Sequence, residues 1–426
     1  MQIIKYPPQS EWKELIRRPS MDDARLSDVV SGILDDVRQK GDEAVKMYES
    51  KFDKVNLERL LLPEAEKAEA DTLVSKELKQ AILQAKANIE KFHAAQKQDL
   101  PKVETSPGVV CWQKADAIEK VGLYVPGGTA PLFSTVLMLA VPAKIAGCRE
   151  IVLCTPPGKD GKIHPAVIFA AEAAGVDKIF KIGGVQAIGA MAYGTESVPK
   201  VYKIFGPGNQ YVTAAKQTVG LKEVAIDMPA GPSEVEVIAD ETAYPAFVAS
   251  DLLSQAEHGA DSQAILITTS EALAASVSRE VAGQLNALPR KALAEKSLAH
   301  SRIIVLRTRE EIIELTNMYA PEHLIIETKD YEEIASRITN AGSVFLGHYT
   351  PESAGDYASG TNHTLPTNGY ARMYSGVNLD SFMKKITFQE ISRDGIRNLG
   401  TTIRILAENE QLTAHGNAVS LRMFHP

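Results

Sequence analysis

The chain of 426 residues has few cysteines and no long apolar run. Only three cysteines occur, and no two of them have CxxC spacing, which argues against a disulfide framework and favours a reducing compartment. No apolar run approaches the roughly 20 residues that span a bilayer, and the first residues lack the apolar core of a secretory signal. We therefore expect a cytoplasmic protein without a membrane partner.

The chain also lacks an excess of positive charge. Its formal net charge is −8, whereas a nucleic-acid-binding protein is expected to present a basic face. A chain of 426 residues with 44% hydrophobic content can form two or more domains, each with a substantial core. These properties favour an enzyme with a small-molecule substrate and no nucleic-acid partner.

Strand-like and helix-like patterns alternate from Val121 to Asp227, and a second series runs from Val235 to Leu346. Such alternation predicts parallel, doubly wound sheets with ligands beyond the carboxyl ends of the strands. The first hundred and the last sixty residues have mainly helical patterns. We therefore predict an α/β fold of two doubly wound Rossmann-like lobes with helical N-terminal and C-terminal extensions.

The predicted boundaries follow these changes of pattern. They give an N-terminal extension at 1–25, a first α/β lobe at 26–120 and 234–375, a second α/β lobe at 121–233, and a C-terminal helical tail at 376–426.

The dinucleotide fingerprint GxGxxG is absent. Three strand-to-helix turns nevertheless carry glycine: Pro126-Gly127-Gly128, Gly183-Gly184 and Gly206-Pro207-Gly208-Asn209. Bare backbone amides at helix N-termini suit a pyrophosphate. The same glycines are also explained by tight turns alone, so the residues leave both interpretations open.

Several polar residues could carry chemistry. On the helix predicted from Ala246 to His258, Gln255 and His258 are three residues apart and share one face, so they could hold a metal near the helix end. Glu322 and His323 stand at the turn into a strand. The long polar loop from Pro351 to Pro366 is longer than a simple connection requires. Without further information, each group is equally compatible with ordinary hydrogen-bonded or solvated side chains.

Three segments resemble the histidinol dehydrogenase family. They are IDMPAGPSE followed by DLLSQAEH, then APEH, then the loop PESAGDYASGTNHTLP. The resemblance extends from about Val121 to the C-terminus and is weaker before it. It implies an aldehyde-dehydrogenase-like architecture in which the first α/β lobe carries the metal and the bases and the second binds NAD⁺.

The resemblance also implies a role for individual residues. Glu322 would activate water, and His323 would shuttle the proton of the substrate hydroxyl. The implied zinc ligands are Gln255, His258, Asp356 and His415. The implied NAD⁺ contacts are Tyr124, Gln186 and Asn209. The implied substrate contacts are Ser233, Gln255, His258, His323, Asp356, Glu410 and His415. The role of His363 stays open.

The implied reaction is the zinc-dependent, four-electron oxidation of L-histidinol to L-histidine through L-histidinaldehyde, the final steps of histidine biosynthesis. Two NAD⁺ would be reduced, each as an exchanging cosubstrate, with one zinc ion per subunit. The resemblance further implies a homodimer with shared active sites, in which the C-terminal tail contributes His415 to the partner.

Two other classes compete with this interpretation. A cysteine-dependent aldehyde dehydrogenase would need a reactive thiolate. Cys154 lies in an apolar strand and Cys148 at a helix end, which favours packing, whereas Cys111 stays open. A non-catalytic, metal-dependent binding module would bind ligand without producing NADH.

Overall fold

Two parallel sheets and one antiparallel ribbon organise the computed structural model, which describes residues 1–19, 23–127 and 130–424. The mixed α/β class is confirmed. The strands are β1 (Gln2–Lys5), β2 (Val103–Ser106), β3 (Val109–Ala117), β4 (Lys120–Tyr124), β5 (Glu150–Thr155), β6 (Lys178–Lys181), β7 (Lys203–Phe205), β8 (Ala225–Ile226), β9 (Glu234–Ala239), β10 (Gln263–Thr268), β11 (Arg302–Val305), β12 (His323–Glu327), β13 (Ser343–Leu346) and β14 (Met383–Ile391).

The helices surround these sheets. They are α1 (Trp12–Leu15), α2 (Asp23–Lys40), α3 (Asp42–Tyr48), α4 (Glu64–Leu73), α5 (Lys76–Ala94), α6 (Phe133–Ala146), α7 (Pro165–Ala174), α8 (Gly184–Tyr193), α9 (Gln210–Gly220), α10 (Pro245–Ala256), α11 (Glu271–Leu285), α12 (Lys291–His300), α13 (Arg309–Tyr319), α14 (Tyr331–Ala335), α15 (Glu352–Tyr357), α16 (Arg393–Asn409) and α17 (Thr413–Phe424). A π-helical turn, Glu49–Asp53, follows α3 directly.

The lobe at 121–233 contains a parallel sheet in the order β6-β5-β4-β7-β8. The first strand, β4, is central, and the chain winds outward from it in both directions. This is the strand order of a dinucleotide-binding α/β unit, which binds its ligand where the winding reverses. Leu123 and Leu153 are fully buried because helices cover both faces of the sheet.

The second parallel sheet has the order β1-β11-β10-β9-β12-β13. Its edge strand β1 comes from the N-terminus and pairs with β11. Trp12 and Ile16 pack beside it in the same core as Ile238 and Ile304. The N-terminal extension is therefore part of this lobe.

Helices α2 to α5 pack on a different lobe from the one we predicted. We placed residues 26–120 with 234–375, but Val30 and Leu34 of α2 share a core with Ile188 of α8. Likewise Ile89 of α5 packs in one core with Leu137 of α6. The helical patterns were apparent in the sequence, but an apolar stripe does not identify the surface that covers it.

The C-terminal tail contains a strand that we did not predict. Strand β14 pairs antiparallel with β3 over its whole length, and Trp112 stacks on Phe388 with ring centroids 5.5 Å apart. Cross-strand aromatic pairs of this kind stabilise a sheet that has little other cover. Helices α16 and α17 follow as a hairpin. No helix in the described ranges is long and apolar enough to cross a membrane.

Gly206 provides a test of the turn after β7. Its φ is +125°, and a Cβ there would overlap the carbonyl oxygen of Tyr124. We expect Gly206→Ala to lower the free energy of unfolding by about 3 kcal/mol or more, because backbone strain adds to a clash that no side chain can relieve. Gly283→Ala is the matched control, since nothing lies within 4 Å of a Cβ in that exposed helix. Equal thermal stability of the two variants would contradict this account.

Candidate active site

The amino end of β9 positions both predicted bases. The Glu234 backbone nitrogen donates to Oε2 of Glu322 at 2.9 Å, and its carbonyl oxygen lies 3.1 Å from Nδ1 of His323. A carbonyl can only accept, so Nδ1 carries a proton, and Nε2 is the nitrogen that can accept or release one. That nitrogen is buried and makes no hydrogen bond within the described residues.

Three carboxylates surround the His323 ring. Its Nδ1 lies 3.6 Å from Glu322 Oε2 and 3.7 Å from Glu352 Oε1, and its Nε2 lies 3.4 Å from Asp356 Oδ1. Burial opposes a charge on the ring, but Glu352 and Glu322 outweigh it and raise the pKa of His323 well above its usual range. The site is therefore built to stabilise a proton on this imidazole.

A group of possible metal donors lies beside the bases. Donor atoms of His258, Glu352 and Asp356 all lie within 4.8 Å of one another. Because Glu352 and Asp356 are four residues apart on α15, they project from one face of that helix. A mixed set of nitrogen and oxygen donors suits zinc, so these residues fit the predicted ion.

Glu352 is the member of this group that we did not predict. It is 1% exposed, and burial raises its pKa well above the usual range. The signal available in the sequence was its spacing from Asp356, which places both carboxylates on one helical face.

Gln255 reaches the edge of the same group from α10. Its buried amide lies between Glu352 and the backbone N–H of Glu234. The orientation that satisfies both neighbours donates from nitrogen to Glu352 and accepts at oxygen, 3.1 Å from the Glu234 nitrogen. Gln255, His258 and Asp356 therefore converge as predicted ligands, and their roles stay predictions.

The remaining predicted substrate and metal residues are placed differently. Ser233 precedes β9 directly, next to the bases. Glu410 and His415 are exposed on the α16–α17 hairpin. His415 does not belong to the donor group formed by the described residues of one chain.

His363 connects this site to the other lobe. Its Nδ1 lies 2.8 Å from the backbone oxygen of Asp356, and its Nε2 lies 3.0 Å from the hydroxyl of Thr135 in α6. Burial lowers the pKa of His363, which favours the neutral ring. Both nitrogens therefore have protein partners, and the ring joins the backbone of α15 to α6 of the other lobe.

A cavity of about 1290 Å³ lies beyond the carboxyl ends of β4, β5 and β6. It brings together the three predicted cofactor residues, Tyr124, Gln186 and Asn209, which all line it. Pro131 and Leu132, at the start of α6, line it on the side of the helix that carries Thr135. The segment that leads into α6 therefore lines the cavity, while Thr135 of α6 contacts His363.

At two of the glycine turns, backbone amides that could have faced a pyrophosphate have protein partners. Gly183 donates to Glu49 Oε1 at 2.9 Å, and Gly184 donates to the Tyr124 hydroxyl at 3.0 Å. At α9, Asn209 Oδ1 accepts from the backbone nitrogens of Tyr211 and Val212 at 3.0 and 3.1 Å. These helix ends are therefore capped by the protein itself. Gly128, in the turn after β4, lies outside the described residues.

None of the three cysteines belongs to either site in the described chain. Cys154 is buried in β5 and Cys148 after α6, where burial raises the pKa of the Cys148 thiol to about 12. Cys111 lies in β3, opposite Gln389 of β14. Thiolate catalysis therefore has no support in this arrangement.

The fold places the chain among aldehyde-dehydrogenase-like α/β proteins. An acetylating aldehyde dehydrogenase from Geobacillus thermoglucosidasius superposes with a TM-score of 0.50 at 16% identity, covering 89% of this chain and 94% of that one. This likeness concerns the fold alone and confirms the predicted architecture.

Closer comparisons identify the family. The family model described as histidinol dehydrogenase matches residues 16–423. Histidinol dehydrogenases from Bacteroides fragilis and Escherichia coli K12 are 66% and 53% identical, covering 99% and 96% of this chain and 99% and 94% of theirs. A crystal structure of histidinol dehydrogenase from Elizabethkingia anophelis has a TM-score of 0.97 at 56% identity, covering 99% of this chain and 98% of that one. The chain belongs to the histidinol dehydrogenase family, and it is an oxidoreductase of histidine biosynthesis.

Proposed function

We propose that this oxidoreductase converts L-histidinol to L-histidine through L-histidinaldehyde in a zinc-dependent, four-electron oxidation that reduces two NAD⁺. The observation that carries the proposal is the position of His323. It lies buried between Glu322 and the donor group of His258, Glu352 and Asp356. A general base beside imidazole and carboxylate groups that can bind a metal suits the oxidation of a metal-bound alcohol.

The two bases have separable tasks in this proposal. His323 Nε2 accepts the hydroxyl proton of the alcohol as hydride leaves carbon for NAD⁺. Glu322 removes a proton from water in the second half, when the aldehyde is hydrated before it loses a second hydride. General-base assistance of this kind typically contributes about 10²–10⁴-fold in rate.

The proposed zinc ligands are Gln255, His258 and Asp356 from one subunit, together with His415 of the partner subunit. Zinc at this position supplies Lewis-acid chemistry that polarises the oxygen of an alcohol or an aldehyde. The residues of the chain then position the substrate: Ser233 next to the bases, and Glu410 from the hairpin. We also propose the cytoplasm as the location, since the three cysteines are free.

The first test measures stoichiometry. With limiting histidinol we expect two NADH per substrate, followed by absorbance at 340 nm, because four electrons leave the substrate in two hydrides. Chelation should abolish the reaction together with the bound zinc, and added zinc should restore both. One NADH per histidinol would exclude the four-electron proposal, and full activity after complete removal of the metal would exclude zinc.

Glu322→Gln separates the two halves of the reaction. The amide keeps an oxygen to accept from the Glu234 N–H but cannot take a proton from water. We expect aldehyde oxidation to fall by about 10²-fold or more, and oxidation of the alcohol to the aldehyde to change by less than about tenfold. Single-turnover formation of the first NADH from histidinol and steady-state oxidation of histidinaldehyde make the comparison. Equal losses in both halves would show that Glu322 is not the base specific to water.

The homodimer is proposed from the α16–α17 hairpin. The side chains buried there are small, including Gly400, Ala407 and Gly416. Large apolar side chains stay outside: Leu421 and Phe424 are each 73% exposed. An appendage with so little core would gain burial by packing on a second copy of the chain.

Mixed dimers test whether the hairpin serves the partner. His415→Ala and Glu322→Ala chains should each fail to form histidine when alone, and histidine formation is the activity followed. Equal amounts, unfolded and refolded together, should give half mixed dimers, each with one intact and one doubly defective site. About a quarter of the wild-type activity should therefore return. Mixed dimers that form but stay inactive would show that His415 serves its own chain.

A further inference from the structure

The edge of the NAD⁺ cavity lacks a residue that this strand order usually supplies. In dinucleotide-binding units, an Asp or Glu after the second strand binds the hydroxyls of the adenosine ribose. The second strand here is β5, which ends at Thr155 and continues as Pro156-Pro157. The prolines contribute neither a side-chain acceptor nor a backbone donor.

Asp53 brings a carboxylate to the same edge from outside the lobe. A Cβ at Gly127 or Gly183 would overlap the Pro156 ring, so Pro156 lies directly against both turns. Oδ2 of Asp53 lies 3.4 Å from the position of such a Cβ on Gly183. Asp53 is half-buried and lines the cavity. It therefore lies next to the end of the second strand, where the usual acid is missing.

Two buried polar atoms at this edge have no hydrogen-bond partner among the described residues. They are Oε2 of Glu49 and Oε1 of Gln186, whose residues are 0% and 1% exposed. Glu49 is four residues before Asp53 on the π-helical turn, and its other oxygen accepts from Gln186 Nε2 at 2.8 Å. Since buried polar groups are costly to leave unpaired, this edge is suited to hydroxyl donors from a ligand.

The cationic residues of the cavity are partly engaged elsewhere. Lys162 pairs with Glu69 at 2.6 Å, and Lys54 donates to the backbone oxygen of Lys51 at 2.6 Å. Burial raises the pKa of Glu49 to about 7, and it also raises the pKa of the half-buried Asp53, which Glu49 partly offsets through a hydrogen bond. An anion here attracts hydroxyl groups and repels a phosphate.

We propose that Asp53 accepts hydrogen bonds from the adenosine ribose of NAD⁺ and excludes dinucleotides that carry a 2′-phosphate. The assignment deepens the proposed function, because it rests on NAD⁺ as the cosubstrate. It gives the N-terminal helical segment a part in cofactor selection.

The experiment compares Asp53→Asn with Asp160→Asn, another carboxylate that lines the cavity, on the loop after β5. Binding of NAD⁺, 2′-deoxy-NAD⁺ and NADP⁺ is measured by calorimetry, and KM and kcat by NADH formation. In the wild type, loss of the 2′-hydroxyl should weaken binding about tenfold. Asp53→Asn should also weaken NAD⁺ binding about tenfold, and it should bind 2′-deoxy-NAD⁺ as well as it binds NAD⁺. The same variant should bind NADP⁺ more tightly than the wild type does, and its kcat should change little. Asp160→Asn should resemble the wild type.

The two variants also define the results that overturn the assignment. If Asp160→Asn, and not Asp53→Asn, weakens NAD⁺ binding and removes the discrimination against 2′-deoxy-NAD⁺, the ribose-binding carboxylate lies on the loop after β5. If Asp53→Asn weakens NAD⁺ and 2′-deoxy-NAD⁺ equally, Asp53 has only a structural role. Calorimetry needs no turnover, so it separates this result from a failure of the proposed function. A wild type that binds NAD⁺ but does not oxidise histidinol would refute the reaction and leave the ribose test valid, whereas a wild type that binds no dinucleotide would refute both.

Discussion

The site depends on one buried ion pair at the start of β9. Both oxygens of Glu234 accept from Arg18, at 2.5 and 2.7 Å, and Arg18 also donates to the backbone oxygen of Tyr319 at 2.8 Å. The pair fixes the Glu234 backbone, whose N–H and carbonyl hold Glu322 and His323. Breaking such a pair leaves an uncompensated buried charge, which is strongly destabilising. The N-terminal extension therefore helps to fix the backbone that holds Glu322 and His323.

The two lobes use opposite ends of their sheets. The cavity proposed for NAD⁺ follows the usual rule and lies beyond the carboxyl ends of β4 to β6. Glu322 and His323 lie at the amino ends of β9 and β12, where the C-terminal end of α10 and helix α15 supply the remaining polar groups. The hydrogen bond between His363 and Thr135 joins these two edges. In the proposed reaction, the substrate that gives up hydride and the NAD⁺ that accepts it can therefore approach from different sheets.

Sequence patterns were sufficient for the two series of strands and helices, because parallel strands buried on both faces form continuous apolar runs. The resemblance gave residues such as His258 and Asp356, which the fold brings together. The partner of α2 was not predictable, because periodicity reveals a buried face but not its neighbour. Strand β14 was missed because its alternation is weak and its pairing with β3 spans more than two hundred residues. Glu352 and Glu49 were missed because their burial arises only from tertiary packing.

Glu49 has a kinetic consequence through its contact with α8. A carboxylate of the protein occupies the end of the helix where a pyrophosphate would otherwise gain most. A dinucleotide held by fewer contacts has a short residence time. For an association rate constant of about 10⁶ M⁻¹s⁻¹, a dissociation constant of about 10⁻⁴ M would correspond to a residence time of about 10 ms. In the proposed reaction, departure on this scale would let a second dinucleotide enter before a reactive aldehyde escapes, whereas a tightly bound first product would block the site.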